Sequence, residues 1–330
     1  MGVAIGIVLA ITVLWWALRF LPAGAEGHLP LPYLIALIPF LWIPALILAV
    51  AAIAVGDWWL AGIAAVLAIV VLLRVPLYRL HHHRETARGT LRETARETDR
   101  TLTVMTLNCR YGRADARTIA DAVRDRHVDI LALQELTQGL VTALDDAGIR
   151  ETLPHRQLGE DRPTDNGGFN GLWTRLTPVS SESSSIEIPA ADVPMVVATP
   201  AADATVAFAS AHTKSPMRGC RAWSQGIIGL GRLVRRHQSA AAPGDAVVVL
   251  GDLNCGIDHP SFRRLLASGF RDASMSATRK PSVSFPSWLV WPRIELDHVL
   301  LSGGITAGRI ETFTVPGTDH LATVATLRMP

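Results

Sequence analysis

Eight polar residues carry the chemistry open to this chain: Asn108, Glu135, His212, Asp252, Asn254, Asp297, Asp319 and His320. Carboxylates and amides dominate the set, imidazoles complete it, and no cysteine belongs to it. Hard oxygen donors of this kind suit Mg²⁺ or Mn²⁺ rather than zinc. A carboxylate cluster holding such an ion can offset charge on a phosphoryl oxygen and stabilise the oxygen that leaves. A histidine paired with a carboxylate can move a proton. Each residue also has a plainer reading. Asp252 and Asn254 suit turns, because Asp and Asn bond their own backbone there. Asn108 could end a strand, and His212 could be a solvated histidine. His298 is as titratable as its neighbour Asp297, and the residues by themselves leave that choice open. Cys109, Cys220 and Cys255 are too few and too scattered for a disulfide framework or a zinc site.

The elements that must position these residues are visible as apolar runs with polar ends. Leu102–Asn108 (LTVMTLN), Asp129–Glu135 (DILALQE), Thr205–His212 (TVAFASAH) and Ala246–Asp252 (AVVVLGD) each read as a strand that delivers a polar residue at its C-terminal end. The spacing predicts helices over Asp115–His127, Gly219–His237 and Ser261–Ser268. It predicts further strands over Val299–Ser302 and Ala322–Leu327. Continuous apolar strands interleaved with helices imply sheets covered by helices.

Five motifs then occur in order: TLNCRYG at Thr106–Gly112, LQE at Leu133–Glu135, GDLN at Gly251–Asn254, LDHV at Leu296–Val299 and TDH at Thr318–His320. Together they resemble the successive motifs of the endonuclease/exonuclease/phosphatase superfamily, the fold of exonuclease III, DNase I and the neutral sphingomyelinases. The resemblance implies an α+β fold, a four-layer α/β-sandwich of two packed mixed β-sheets flanked by helices. It implies that Glu135 is the principal metal ligand, with Asn108 assisting and Asp319 on the metal side. Asp252 would orient or deprotonate the attacking water, and Asn254 would hold that water or the phosphate. His320 would meet the phosphoryl oxygen, Asp297 would orient His320, and His212 would donate a hydrogen bond to the phosphate. Water would attack phosphorus directly, without a covalent enzyme intermediate. The chain departs from the DNA-repair members in mid-domain. Asn166–Arg175 (NGGFNGLWTR) has no tyrosine there, and Asn170 is the candidate substitute contact.

The first hundred residues differ in kind. A helix of ~20 apolar residues spans a bilayer core, and Gly2–Leu21, Leu31–Gly56 and Trp58–Tyr78 each meet that length. Three transmembrane helices are predicted, with Pro39 and Pro44 tolerated in the second. The expected organisation is a membrane anchor over 1–80, a charged helical stalk over 81–100 with two RETAR repeats, and a catalytic domain over 101–330, expected to be monomeric. That domain carries 23 Lys/Arg and 23 Asp/Glu. It lacks the basic excess that marks a nucleic-acid enzyme.

The tether and the apolar stretch Ser284–Pro292 (SFPSWLVWP) favour a phosphate ester linked to a lipid as substrate. A membrane-held nuclease is the alternative. The anchor and this loop are similar to membrane-bound VanJ-type members of the superfamily, which implies an extracytoplasmic catalytic domain. Arg74 near the end of the third span, with Arg79 and Arg84 after it, argues for the cytoplasmic side. The expectation adopted is a multi-pass cell-membrane protein with its catalytic domain outside.

Overall fold

Alternation along the strands decides the architecture. The computed structural model describes residues 1–90, 101–161, 167–201, 204–240, 246–277 and 282–329. Its strands are β1 (Thr101–Asn108), β2 (Ile130–Leu136), β3 (His155–Leu158), β4 (Phe169–Thr174), β5 (Pro178–Glu182), β6 (Met195–Ala201), β7 (Ala204–His212), β8 (Ala246–Asp252), β9 (Arg271–Asp272), β10 (Asp297–Leu301), β11 (Thr306–Thr314) and β12 (Leu321–Arg328). Its helices are α1 (Gly2–Ala17), α2 (Leu31–Ala36), α3 (Trp42–Ala54), α4 (Trp58–Thr90), α5 (Ala116–Asp125), α6 (Gln138–Asp146), α7 (Ile149–Thr152), α8 (Pro216–Leu230), α9 (Arg232–Ala240), α10 (Pro260–Leu266) and α11 (Ala273–Ala277).

Two six-stranded mixed sheets form, in the orders β11-β12-β1-β2-β4-β3 and β5-β6-β7-β8-β10-β9. Successive side chains point to opposite faces of a strand. Val248 and Leu250 of β8 therefore join Val104, Ile130 and Phe208 between the sheets. Val247 and Val249 of the same strand pack outward with Trp223, Ile227 and Phe262 of α8 and α10. On the other side Met105 and Leu107 meet Ile119, Val123 and Leu140 of α5 and α6. Central strands are thus apolar on both faces because both faces are covered. The result is the four-layer α/β-sandwich that the motifs implied.

Direction of pairing brings the polar ends together. β7 and β8 are parallel, so His212 stands beside Asp252. β10 runs antiparallel to β8, so its first residue, Asp297, also faces Asp252. β1 and β2 are parallel, which places Asn108 next to Gln134 and close to Glu135. β12 is antiparallel to β1, so His320, just before it, meets the end of β1.

The helical segment Gly219–His237, the start of β10 and six further strands differ from expectation. The segment Gly219–His237 is two helices, α8 and α9. They break at Gly231, where a Cβ would approach Ser268 Oγ to 2.8 Å. β10 begins at Asp297, two residues before the predicted strand. The strands β3, β4, β5, β6, β9 and β11 were not anticipated. Four of them, β3, β5, β9 and β11, are the sheet edges. They are short or rich in polar residues, so they lack a continuous apolar run.

Gly2–Phe20 and Trp58–Pro76 are long and apolar enough to cross a membrane. The expected second span is bent: Leu31–Phe40 and Trp42–Ala54 meet at 61° and make a third crossing only if the pair counts as one span. Pro39 and Pro44 flank the break, and each lacks the N–H that would close a helical turn. Ala45, Ala49 and Ala52 of α3 pack with Ala61, Ala64 and Ala68 of α4, small residues that let helices approach closely. Ile7, Ile11, Leu46, Ile47, Ile63 and Val66 face outward. Helix α4 continues to Thr90 and includes the first RETAR repeat. The second repeat lies outside the described residues.

The N-terminal helices are bolted to the two-sheet unit by polar contacts. Glu26, fully buried, accepts the N–H of Gly24 at 2.9 Å and of Ser261 at 2.5 Å. Asp258 receives Arg19 at 3.3 Å and Arg74 at 3.0 Å. His259 Nε2 donates to the Pro32 carbonyl at 3.0 Å, and burial holds this imidazole below its ordinary pKa, in the neutral form. Glu26→Ala leaves the buried Ser261 N–H without its acceptor, while the Gly24 N–H keeps Ser261 Oγ at 3.2 Å; an unsatisfied buried group costs about 1–3 kcal/mol. The full-length variant in detergent is expected to unfold at lower temperature and to be cut sooner by protease between residues 20 and 31.

Candidate active site

Asp252 is the centre of the polar cluster. Its Oδ1 accepts the backbone N–H of Asn254 at 2.8 Å. Its Oδ2 accepts the Asn108 amide at 2.9 Å and lies 3.6 Å from His212 Nε2 and 3.7 Å from His320 Nε2. The same Asn108 amide donates to Glu135 Oε1 at 3.2 Å, so one NH₂ bridges two carboxylates. Glu135 Oε2 accepts the N–H of Tyr111 at 3.0 Å. Asn254 places its side-chain nitrogen 3.4 Å from His212 Nε2 and donates to the Thr213 carbonyl at 3.3 Å. Seven of the eight residues therefore converge on one pocket, with Asp319 at its rim, 3.6 Å from the Arg110 guanidinium.

Backbone strain gathers here. Glu135 and Asn254 adopt left-handed conformations, with φ of 52° and 50°. Such conformations are uncommon for non-glycine residues and cluster at functional sites. Gly251, at φ 156°, allows β8 to lie against β7: a Cβ there would fall 1.7 Å from the Ala211 carbonyl oxygen. That is the physical need behind the first residue of GDLN.

The two imidazoles are held in opposite charge states. Burial pulls His320 toward neutrality, but Asp297 and Asp252 overcome it and raise its pKa to about 10. Asp297 Oδ2 lies 2.7 Å from His320 Nδ1. Burial pushes Asp297 up, yet the His320 charge and the Ser284 hydroxyl leave it below the usual carboxylate range. His212 is fully buried and sits below its ordinary pKa, despite the pull of Asp252. Burial also raises Glu135 and Asp252, against the hydrogen bonds from Asn108.

The donor set fits a hard divalent cation. Glu135 and Asp252 are desolvated carboxylates bridged by a single amide, and both are shifted toward protonation. A cation relieves that, and every donor in reach is oxygen or imidazole. Asp252, Asp297 and His320 also bring ligand-type atoms within 4.8 Å of one another. In that trio Asp297 is already committed to His320. As placed, Asn108 offers nitrogen rather than oxygen to the cluster, because its Oδ1 accepts the Arg110 N–H at 2.9 Å. To ligate, its amide must turn end for end.

His298 is separate from this pocket. Its Nδ1 lies 2.6 Å from Asp272 and its Nε2 2.8 Å from the Cys255 carbonyl. Asp272→Ala leaves a buried imidazole without its counter-charge, a change that costs about 3–5 kcal/mol. The expected result is a lower unfolding temperature with activity per folded molecule retained. Asn170 donates to the Asp192 carbonyl at 2.7 Å and is buried on β4. Cys109 and Cys255 are buried, and burial raises the Cys255 thiol to about 11, which makes it a poor nucleophile.

Sequence reasoning missed four contributors. Thr318 Oγ1 donates to the Asn108 carbonyl at 2.6 Å and accepts the His320 N–H at 3.2 Å, tying TDH to TLN. Ser284 Oγ accepts the N–H groups of Leu296 and Asp297 at 3.2 and 3.1 Å. Phe285 lies 5.0 Å from the His320 ring. Arg218 covers the Tyr111 ring at 5.5 Å and reaches its hydroxyl. Only Thr318, adjoining the Asp-His pair, carried a signal in its motif.

A buried His–Asp pair, an Asp–Asn pair and two carboxylates bridged by one amide lie together on the edge of two packed sheets. The family model for the endonuclease/exonuclease/phosphatase family matches residues 105–320, and the chain belongs to that family. A search of curated proteins found no match. Among solved structures, a humanized D. rerio TDP2 is 16% identical, with 70% of this chain and 100% of that one covered and a TM-score of 0.54. The mannosyl-6-phosphatase Bt3783 of Bacteroides thetaiotaomicron is 17% identical, with 68% and 99% covered and a TM-score of 0.53. A functionally unknown conserved protein from Enterococcus faecalis is 13% identical, with 69% and 100% covered and a TM-score of 0.56. At these identities the likeness is one of fold.

Proposed function

We propose that this protein is a membrane-anchored phosphatase or phosphodiesterase, dependent on Mg²⁺ or Mn²⁺, that hydrolyses a lipid-linked phosphate ester by direct attack of water. The observation that carries the reading is Asp252, set between a neutral His212 and a charged His320 with Asn254 locked beside it. Glu135, with Asn108 and Asp319 near it, would hold the cation, which offsets phosphoryl charge when bound. Asp252 orients the attacking water and takes its proton. His212 and Asn254 donate to phosphoryl oxygens. His320, protonated and steered by Asp297, gives its proton to the leaving oxygen.

The apolar N-terminal helices and the neutral charge balance of residues 101–330 support a lipid-linked substrate at a membrane, and the likeness to VanJ-type members supports an extracytoplasmic site. The test offers the full-length protein, with Mg²⁺ in detergent, a polyprenyl pyrophosphate, plasmid DNA and single-stranded DNA. Phosphate release from the lipid is expected. Efficient cutting of DNA at physiological salt, with no release from the lipid, overturns the reading in favour of a nuclease.

A further inference from the structure

A cavity of about 410 Å³ lies where the anchor meets the catalytic domain, and none of the eight polar residues lines it. The volume falls within the ~300–1,000 Å³ of small-molecule sites. Ile35, Phe40 and Leu72 form the anchor wall, and Val290, Trp291 and Ile294 the opposite one. The charged side chains of the lining are already engaged. Arg74 binds Asp258 at 3.0 Å, and Arg293 donates to the Pro286 and Ser287 carbonyls at 3.2 and 3.0 Å. Glu295 likewise has a partner. A polar head group finds no unused charge there, whereas a hydrocarbon chain finds apolar walls.

The way in is apolar as well. Val290 is 91% exposed and Trp291 60%, although both line the cavity, and Trp291 packs edge-on against Phe40 at 5.9 Å. Leu72 is a lining residue that also belongs to the outward apolar face of α4. The cavity is therefore continuous with the surface the anchor turns to lipid. Its catalytic-side wall is the segment 284–296, closed by the bridge between Phe285 and Ile294. Ile294 faces the cavity, while Phe285 packs on His320 and Ser284 holds Asp297. One wall thus separates an apolar chamber from the proton-donating pair.

We infer that this cavity seats the hydrocarbon chain of the substrate, an amphiphilic phosphate ester that reaches the site from the bilayer side. The inference rests on the phosphoesterase reading above and adds a chain-recognition site to it. Chain length then becomes a determinant of affinity, and the cavity walls become specificity residues that touch no reacting atom.

The experiment uses the full-length protein with Mg²⁺ in one detergent, and compares butyl 4-nitrophenyl phosphate with hexadecyl 4-nitrophenyl phosphate. The two differ only in the chain. The hexadecyl ester is expected to show a KM lower by about tenfold or more, since each buried methylene adds affinity. Ala36→Trp fills the cavity from the anchor side. Val290→Glu places a charge at an exposed lining position, where no packing is lost. Each is expected to remove most of the preference and to leave turnover of the butyl ester within about twofold. A diazirine-bearing hexadecyl ester is expected to label residues 35–42 and 290–296 in Asp252→Asn, and to stop labelling them when Ala36→Trp is added.

Equal KM values, or a preference that survives both variants, overturn the inference, the second because micelle partitioning alone then explains it. If neither ester is hydrolysed, the hydrolase reading fails and labelling alone decides the cavity. Labelling of its walls that Ala36→Trp abolishes keeps the site, and labelling elsewhere removes it.

Discussion

Asp252→Asn is expected to lower kcat by about a thousandfold, the middle of the range for removing a positioned general base, and to raise the unfolding temperature in EDTA. Both effects come from the same burial. Asp252 is enclosed, and desolvation raises its carboxyl pKa even with His320, His212 and Asn108 around it. A carboxyl raised on folding binds protons more tightly in the folded state. Its ionised form therefore opposes folding. That opposition is absent below the ordinary carboxylate pKa of ~3.9 and complete above the raised folded value.

Asparagine keeps the shape and removes the charge. With Mg²⁺ added, the wild-type protein is expected to gain more in unfolding temperature than the variant, because ligand binding to the folded state stabilises by mass action. Paired melting curves with EDTA and with Mg²⁺ check this. A variant less stable than wild type in EDTA would remove the claim that this carboxylate is held against its own stability for chemistry.

The second large effect belongs to the His320–Asp297 pair. His320→Ala is expected to lower kcat by about 10²–10⁴-fold, the usual contribution of a positioned acid. Asp297→Asn retains the imidazole and makes a more specific test. In the wild-type protein His320 titrates at about 10, chiefly because Asp297 and Asp252 offset its desolvation. Its folded pKa lies above the ordinary ~6.5. The stability it contributes is thus fully present below 6.5 and is lost as pH rises through about 10. The protonated form persists across the same window, and activity that needs it falls only at the alkaline end. Removing the Asp297 charge leaves desolvation to pull the imidazole back down. The alkaline limb of kcat against pH is then expected to move to lower pH. A merely structural role for Asp297 would lower kcat at every pH and leave the limb in place.

Much of this site is legible in the sequence. Asn108, Glu135, His212 and Asp252 each end an apolar run, because a strand buried on both faces carries polar residues only where it leaves the core. GDLN was readable because its glycine admits the close approach of β8 to β7 and its Asp and Asn follow at once. The choice of Asp297 over His298 could not come from local pattern. Both lie on β10, where adjacent residues face opposite ways. Pairing with β8 turns Asp297 toward Asp252 and sends His298 to Asp272. Ser284 and Phe285 were illegible for a related reason. They sit 12 or more residues before the residues they support, in a loop without periodicity. The bend in the Leu31–Ala54 segment is half visible in the sequence: Pro39 and Pro44 mark it, but hydropathy counts length and not direction.

What the sequence determined alone is the inventory and its order: apolar N-terminal helices, doubly buried strands, five polar motifs, and a donor set suited to a hard cation and a phosphate ester. Hydrophobic period and side-chain chemistry are local properties, so they survive reading along the chain. The tertiary structure decided which imidazole is charged. His212 and His320 are both enclosed and both lie within 3.7 Å of the same carboxylate. Only the second carboxylate behind His320 keeps its proton in place. It also decided that a chamber lies between the N-terminal helices and the two-sheet unit, formed from residues such as Ile35 and Val290 that are far apart in the chain. Neither fact is carried by any single segment, because both desolvation and enclosure arise only when distant surfaces close on each other.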